Sequence, residues 1–566
     1  MVKESSDTLR VWVEGALTRR LQEIDEDVRS THDNGSSLAV IDENYAEDIV
    51  YLRGLIPQYA RRFNRIRSPL LRLPPEILPE ILNAAVSEPY FLSRWLRYGH
   101  ICHDLRTALL GMRALWAEVV FNSRYIHVQE ELLRRAGSSP VAIHIHSSST
   151  SKTMDMALKL LARARGISVQ YLTWRDTSRI TQSLTQGKFP SLRELRLYVD
   201  NANVPEFLEG PSLDQNELVA PNLRVLVLHD MILPVNPSGL TSLSLSSSAT
   251  DTPFQNALSF THMLRRCNNL ESLALSDCIP ECTVLTNLPL DEQPITLPRL
   301  SQLRISQDQS RILQLWSFMK IPVSASLDVS FSEQEPCDLG RLLLSGRALR
   351  AFITHILAAK ITTLYLDVED DTVELLLGPS IPRSPHVISS RDIQTSSTFR
   401  FSTAAELETL CDIATFLECI CTSLQLRADE IDTLEYSICS DFLSKFDEEH
   451  PEGRSLYAIF PAVTTLLLDT TAVDIAYVLR TTSWQGLDFF PRLKVLHVEL
   501  YNDDPTQQLR DLRDAIKFRV TDHASPLRFL KIKVLYPDDE FGEEEEAQFI
   551  QELQALVQHV EIDFRH

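Results

Sequence analysis

One pattern limits what this chain can fold into more than its length does. It is apolar-x-x-apolar-x-apolar, and it recurs through most of the 566 residues. Copies occur at Leu192, Leu195 and Leu197, at Leu223, Leu226 and Leu228, at Leu240, Leu243 and Leu245, at Leu270, Leu273 and Leu275, and at Leu300, Leu303 and Ile305. Later copies are Ile361, Leu364 and Leu366, then Val463, Leu466 and Leu468, then Leu493, Leu496 and Val498, then Leu527, Leu530 and Ile532, then Val557, Val560 and Ile562, with a weaker one at Ile431, Leu434 and Tyr436. First positions step by 31 residues from 192 to 223, and by 30 from 240 to 270, 270 to 300, 463 to 493 and 527 to 557. A period of this length marks stacked units, none of which can bury its apolar face alone. The alternation inside each copy predicts a short strand, with its leucines turned inward and the residues between them turned out. Between strands the spacing predicts helices, with Ala257, Phe260, Met263, Leu264 and Cys267 on one face and Ile312, Leu315, Trp316 and Met319 on another. The period breaks at 240–250, at 378–400 and at the acidic run 537–547, which are expected to be surface loops.

The template is similar to the strand signature of leucine-rich repeats. Leu270 to Cys278 fits it best, with Cys278 where that signature carries Asn or Cys. Strand-plus-helix units of about 30 residues resemble the ribonuclease-inhibitor type of repeat. The resemblance implies an α/β fold over 126–566: an irregular leucine-rich-repeat solenoid of parallel strands with helices on the convex side. The broken period near 378–400 leaves room for a split there.

The N-terminal region reads differently. Leu9, Val13, Leu17, Leu21, Ile24 and Val28 recur at helical spacing, and Leu38, Ile41, Tyr45, Ile49, Leu52, Ile56, Tyr59 and Phe63 make a second stripe. The polar segment 31–37 separates them, so residues 1–65 are expected to form an antiparallel helical hairpin. Pro57 should kink or end the second helix.

Residues 66–125 carry the most specific local signal. Leu70, Leu71 and Leu73 precede a helix expected to open on Pro74 and Pro75, with Glu76 favoured in its first turn. Ile77, Leu78, Ile81 and Leu82 form its apolar stripe, a second helix should carry Trp95, Ile101 and Leu105, and a short third element ends in Leu115 and Trp116. Leu-Pro-Pro-Glu-Ile-Leu at 73–78, Gly-His-Ile-Cys at 99–102 and Ala-Leu-Trp at 114–116 resemble the F-box, in the form found in large fungal F-box-like families. The resemblance implies a small three-helix module that docks on a Skp-type adaptor, and through it on a cullin carrying a RING ubiquitin-ligase subunit. It implies an adaptor-facing or module-defining set of Leu71, Leu73, Pro74, Ile77, Leu78, Ile81 and Trp116. Two departures stand out. Pro79 is expected to strain the first helix, and Leu105 stands where the family usually has tryptophan.

Other chemistry finds little support. With 77 acidic against 55 basic side chains the net charge is −22, which disfavours the clustered cations that nucleic-acid binding requires. No segment reads as a membrane span, and the charged start lacks a signal-peptide core, so an intracellular chain, cytoplasmic or nuclear, is expected. Nine cysteines fit reduced thiols better than a disulfide scaffold. Cys278 with Cys282 and Cys419 with Cys421 lack the second ligand pair a zinc site needs. Read as a strand, VAIHIH turns His144 and His146 away from the apolar side. Neither a nucleophile elbow nor a phosphate-binding glycine loop is present, so no enzyme activity, metal or cofactor is expected. Arg61, Arg62, Arg65, Arg67 and Arg72 read as a solvated face or a brace against the acidic repeats, and Glu543–Glu546 as a solvated loop or turn before the last helix.

The function this implies is that of a non-catalytic substrate receptor of a cullin-RING ubiquitin ligase, with the adaptor on the F-box-like module and an unidentified target protein on the repeats. The alternative is a repeat-protein interaction scaffold not coupled to ubiquitination, its helical module a cap. A hydrolase hidden in the C-terminal half would require Ser, His and Asp side chains to converge in a pocket.

Overall fold

A computed structural model describes residues 2–34, 39–74, 76–85, 92–172, 174–199, 217–248, 257–281, 294–332, 339–358, 361–369, 372–378, 399–404, 410–438, 459–469, 490–501, 505–522, 527–535 and 543–565. The chain separates into two compact units, Met1–Val141 and Ala142–His566. Among the described residues no helix is long and apolar enough to cross a membrane.

The first unit is helical. Helices Val2–Asn34 and Ala39–Arg67 span 33 and 29 residues. The second returns along the first, tied to it by Arg20 Nε donating to Asp48 Oδ2 at 2.9 Å. Of the first predicted stripe Ile24 is buried, while Val13, Leu17 and Leu21 are exposed. Pro57 does not end its helix, which runs through it to Arg67. The cost is confined to one missing N–H, leaving the Arg53 carbonyl without its intrahelical donor.

The next module has more pieces than the expected three helices. A 3-10 turn at Leu70–Arg72 leads into helices Ile77–Ala85, Leu92–Ile101, His103–Gly111 and Arg113–Glu118. The unit's last helix is Ile126–Ala136. The expected second helix is in fact two, because Cys102 is extended at φ −157° and ψ 167°. Ile101 therefore ends one helix and is exposed, while Leu105 sits in the next and is buried. The first helix opens at Ile77, two residues later than expected; Ile77 N donates to Pro74 O at 2.9 Å, and Pro75 lies outside the described residues. That start removes the strain expected of Pro79. It falls third in the helix, where an N–H has no intrahelical acceptor to lose. Gly99 allows a close helix crossing: a Cβ there would lie 3.3 Å from Leu109 Cδ2, and Arg106 Nε donates to Gly99 O at 2.9 Å.

The second unit is mixed α/β. Among the described residues it has 18 strands, two of them the short pair β7 (Ile295–Thr296) and β9 (Met319–Lys320). The other sixteen form one sheet, whose first half runs β1 (Val141–His146), β2 (Ala164–Leu172), β3 (Glu194–Val199), β4 (Val225–His229), β5 (Ser242–Ser246), β6 (Ser272–Ser276), β8 (Gln302–Gln307) and β10 (Ser326–Phe331). It continues through β13 (Phe399–Ala404), β12 (Thr372–Gly378), β11 (Thr363–Glu369), β14 (Thr433–Ile438), β15 (Thr465–Asp469), β16 (Val495–Tyr501), β17 (Phe529–Leu535) and β18 (His559–Arg565). From β2 onward neighbours pair in parallel, except that β12 runs antiparallel to both β11 and β13.

Register explains the periodicity. Leu195, Leu226, Leu243, Leu273, Leu303 and Leu327 lie opposite one another on successive strands, and Leu197, Leu228, Leu245, Leu275, Ile305 and Val329 form the next row. Beyond the inverted strand Leu364, Leu434, Leu466, Leu496 and Leu530 continue the arrangement. All of these side chains are buried. In several copies the first leucine closes a turn, as where Leu223 N donates to Ala220 O and Leu270 N to Cys267 O. In several a single carbonyl then accepts two N–H groups from the next copy: Arg224 O takes Thr241 N and Ser242 N, and Thr241 O takes Glu271 N and Ser272 N.

Among the described residues several parallel neighbours are joined through helices, such as Trp174–Gln186, Ala257–Arg265, Gln309–Phe318 and Pro505–Asp522. The step from β4 to β5 uses only the 3-10 turn Pro237–Gly239, which shortens that interval. The irregular stretch at 378–400 comes after the inverted strand; its residues 379–398 lie outside the described residues. Glu543–Glu546 form no loop but the first turn of helix Glu543–Leu556, where the helix dipole favours carboxylates.

Truncation should separate the two faces of the sheet. Leu273→Ala, in the buried row, is expected to cost about 2–5 kcal/mol. Ser244→Ala, on the other face, is expected to stay within about 0.5 kcal/mol. Denaturant midpoints of the two variants check this.

Candidate functional site

The seven residues singled out in the F-box-like run divide by burial. Leu73, Pro74 and Ile77 are exposed, the two larger side chains at 39% and 37%. Leu71 and Ile81 are half-buried. Leu78 and Trp116 are core. The turn Leu70–Arg72 ends at Leu73, which is extended, so the chain enters the helix with Leu73, Pro74 and Ile77 outward and Leu78 and Leu82 inward.

Trp116 is wholly buried. Its Nε1 donates to Leu109 O at 3.0 Å, tying the end of one helix to the next. The Arg135 guanidinium lies 5.1 Å from its ring centroid, a cation–π contact that joins the last helix to the same core. Trp116 therefore holds the module together and presents no surface to a partner. Ile101, Leu96 and Leu110 are further exposed apolar residues that helical periodicity did not separate from the core, because the break at Cys102 changes the helix phase between Ile101 and Leu105.

Of the arginine cluster, Arg65 braces the module itself: its Nε donates to Asp104 Oδ2 at 2.8 Å. Partial burial works against the Asp104 charge, but the hydrogen bond and charge of Arg65, aided by His103, outweigh it and hold the carboxyl below its ordinary value.

The polar face of the sheet is the second surface. One row reads Ser246, Ser276, Ser306, Ser330 and Ser402 on five adjacent strands, then Glu374, Asp367, Ser437, Asp469 and Glu499. The serines from Ser246 to Ser402 are all half-buried. Small hydroxyl side chains thus give way to carboxylates along a single line. Around the inverted strand the face closes up. Leu376 and Tyr365 are buried, Arg400 Nη2 donates to Glu374 Oε2 at 2.6 Å, and Tyr365 donates to Asp367 Oδ2 at 2.9 Å. Burial, then the charges of Asp367, Glu374 and Glu435, push the Tyr365 phenol far above its ordinary range. This serine-to-acid row was readable in the alternate positions of each copy, as in SLSLS and SLALS.

At the end of β4, Ser246, His229 and Asp230 converge. His229 Nδ1 lies 2.7 Å from Ser246 Oγ, and Nε2 lies 3.3 Å from Asp230 Oδ2. A hydroxyl, an imidazole and a carboxylate in series can activate a nucleophile. Here the carboxylate is committed elsewhere: it accepts from Ser247 Oγ at 3.0 Å, Ser248 N at 2.6 Å and Ser248 Oγ at 2.5 Å. Asp230 has φ 57° and Asp277, at the same place in its copy, has φ 51°. Asp tolerates this left-handed conformation better than larger side chains. Asp277 likewise accepts from Ser332 Oγ at 2.9 Å. Both aspartates stitch one strand's end to a later one, which assigns the His229 group a structural task.

Cys278 Sγ donates to Leu245 O at 3.3 Å, and burial pushes its thiol up to about 12. Cys419 and Cys421 lie on helix Leu410–Ser423, where a two-residue step turns them apart, and burial raises Cys421 to about 12. Cys282 lies outside the described residues. His144 is half-buried, and His146 is exposed with Nδ1 3.2 Å from Gln170 Oε1. Among the described residues no three His, Cys, Asp or Glu side chains come together to hold a metal ion.

No protein-family model matches the chain, and no curated protein matches it significantly.

Two measurements test these assignments. A fluorophosphonate probe is expected to leave Ser246 unlabelled, since Asp230 already takes three serine donors; labelling abolished by His229→Ala would instead make it a nucleophile. Because the Asp104 carboxyl is held below its ordinary value, the contribution of its ion pair with Arg65 is complete at neutral pH and is lost as pH falls through that lowered value. Arg65→Gln should therefore lower the melting temperature at neutral pH and bring it level with the unsubstituted chain in acid.

Proposed function

We propose that this chain is a non-catalytic substrate receptor. It would bind a Skp-type adaptor, and through it a cullin-RING ubiquitin ligase, by the F-box-like module, and a target protein by an irregular leucine-rich-repeat solenoid. The observation that carries the reading is the exposed set Leu73, Pro74 and Ile77 beside a core closed by Leu78, Leu82 and Trp116. A folded module that leaves apolar side chains outside a filled core has surface to spend on a partner. These residues lie in the run that resembles the F-box. The repeat part of the reading is supported by the leucine rows in register and by the recurrent turn that opens several copies.

The receptor performs no chemistry in this reading. Holding a target beside a ubiquitin-charged enzyme raises its effective concentration there, which is a tethering effect. The polar sheet face, with its serines and carboxylates, is where the target would bind. Neither nucleic acid nor a membrane is assigned as a partner, and the chain would act in the cytoplasm or nucleus.

The other reading is a leucine-rich-repeat scaffold not coupled to ubiquitination, with the helical module as a cap. Paired substitutions separate the two. Leu73→Asp with Ile77→Asp should abolish co-purification with a Skp-type adaptor and leave helicity intact, because both side chains are exposed. Trp116→Ala should cost about 3–5 kcal/mol of module stability and lose the adaptor through unfolding. A folded Leu73/Ile77 variant that still brings down the adaptor would remove that face from the assignment. An unsubstituted chain that never binds the adaptor would leave the scaffold reading.

A further inference from the structure

Most of the large apolar side chains that the described residues leave exposed lie on the two N-terminal helices. On Ala39–Arg67 nine are exposed; Val50, Tyr51 and Leu55 lie to the sides, and the other six form a line. Ile49, Leu52, Ile56, Tyr59, Phe63 and Ile66 are spaced at alternating steps of three and four, the spacing of a coiled-coil seam. They are 46, 41, 68, 66, 48 and 75% exposed. Val13, Leu17 and Leu21 on Val2–Asn34 are exposed as well. Among the described residues Ile24 is buried and the Arg20–Asp48 bridge links the pair, and an exposed ion pair contributes little. Long helices draw their stability mainly from burying an apolar face, and the described residues leave this one exposed.

Charge along the hairpin decides what covers it. Residues 23–48 hold nine acidic side chains and one basic, while residues 53–67 hold five arginines and no acid. The second helix is thus acidic in its first half and basic in its last. An anionic lipid surface would be repelled by the acidic half. A parallel copy would set like charge against like. An antiparallel copy sets acidic against basic at both ends, as a two-fold axis requires. The seam has the same symmetry. With the axis between Pro57 and Gln58, Ile49 faces Ile66 of the second copy, Leu52 faces Phe63, and Ile56 faces Tyr59. In that register Asp48 lies beside Arg67 of the second copy. Pro57 falls outside the seam, so its missing hydrogen bond does not interrupt the contact.

We propose that two copies of this chain associate through their N-terminal helical hairpins, with the Ile49–Ile66 seams antiparallel. Light scattering on the full chain at micromolar concentration should give twice the chain mass. Ile56→Asp with Tyr59→Asp, at the centre of the seam, should give the single-chain mass with an unchanged circular dichroism spectrum. Orientation is read by cross-linking under mild oxidation. A mixture of Leu52→Cys and Phe63→Cys chains should form a disulfide dimer beyond the background of the unsubstituted chain, and Leu52→Cys alone should not. A single-chain mass for the unsubstituted protein, or a double variant that remains dimeric, overturns the proposal. Efficient cross-linking of Leu52→Cys alone overturns the antiparallel arrangement.

Discussion

The second unit depends on one repeated contact: an inward leucine of one strand lying opposite the inward leucine of the next, in parallel register. A single copy cannot bury these side chains, so each strand is stable only because its neighbours cover it. The backbone enforces the same register. In several copies one carbonyl accepts two N–H groups from the next copy, as at Arg224 and Thr241, and so fixes where the next strand begins. A slip of one residue would turn every leucine to the polar face. That is why a sheet with one polar face holds its serines and carboxylates in a straight line: Ser246, Ser276 and Ser306 align because Leu245, Leu275 and Ile305 beside them must.

The strands were legible because a period of two is written directly into the side chains. Strand direction is not written that way. TVELLLG in β12 alternates like its neighbours over its first residues, yet runs the other way between β11 and β13. The start of the last helix was hidden for a different reason: four successive glutamates read as solvated chain, although a helix N-terminus is where such charge is most favoured. In the first unit, spacing showed which residues share a helix face but not what covers it. The stripe from Ile49 to Phe63 was plain, and its exposure was not. Leu73 and Leu78 look equivalent in the F-box-like run. They part company because the helix opens at Ile77, which turns Leu78 into the core and leaves Leu73 in the extended segment before it.

The two units divide the work in the proposed function. The first carries a compact core with an apolar margin at Leu73, Pro74 and Ile77, together with a hairpin whose seam the described residues leave exposed. The second carries a long polar sheet face backed by buried leucines. The most enzyme-like group, Ser246–His229–Asp230, is better accounted for by stitching, because the same arrangement of a left-handed aspartate taking serine donors recurs at Asp277. In the proposed function chemistry is left to partners, and the chain contributes position.

Reconstitution from purified parts tests the central claim most directly. The full chain, a Skp-type adaptor and the adaptor-binding part of a cullin are mixed and resolved by size-exclusion chromatography with light scattering. The account predicts one co-eluting complex with equal amounts of the three components. Elution of a folded chain apart from an intact adaptor–cullin complex would contradict it.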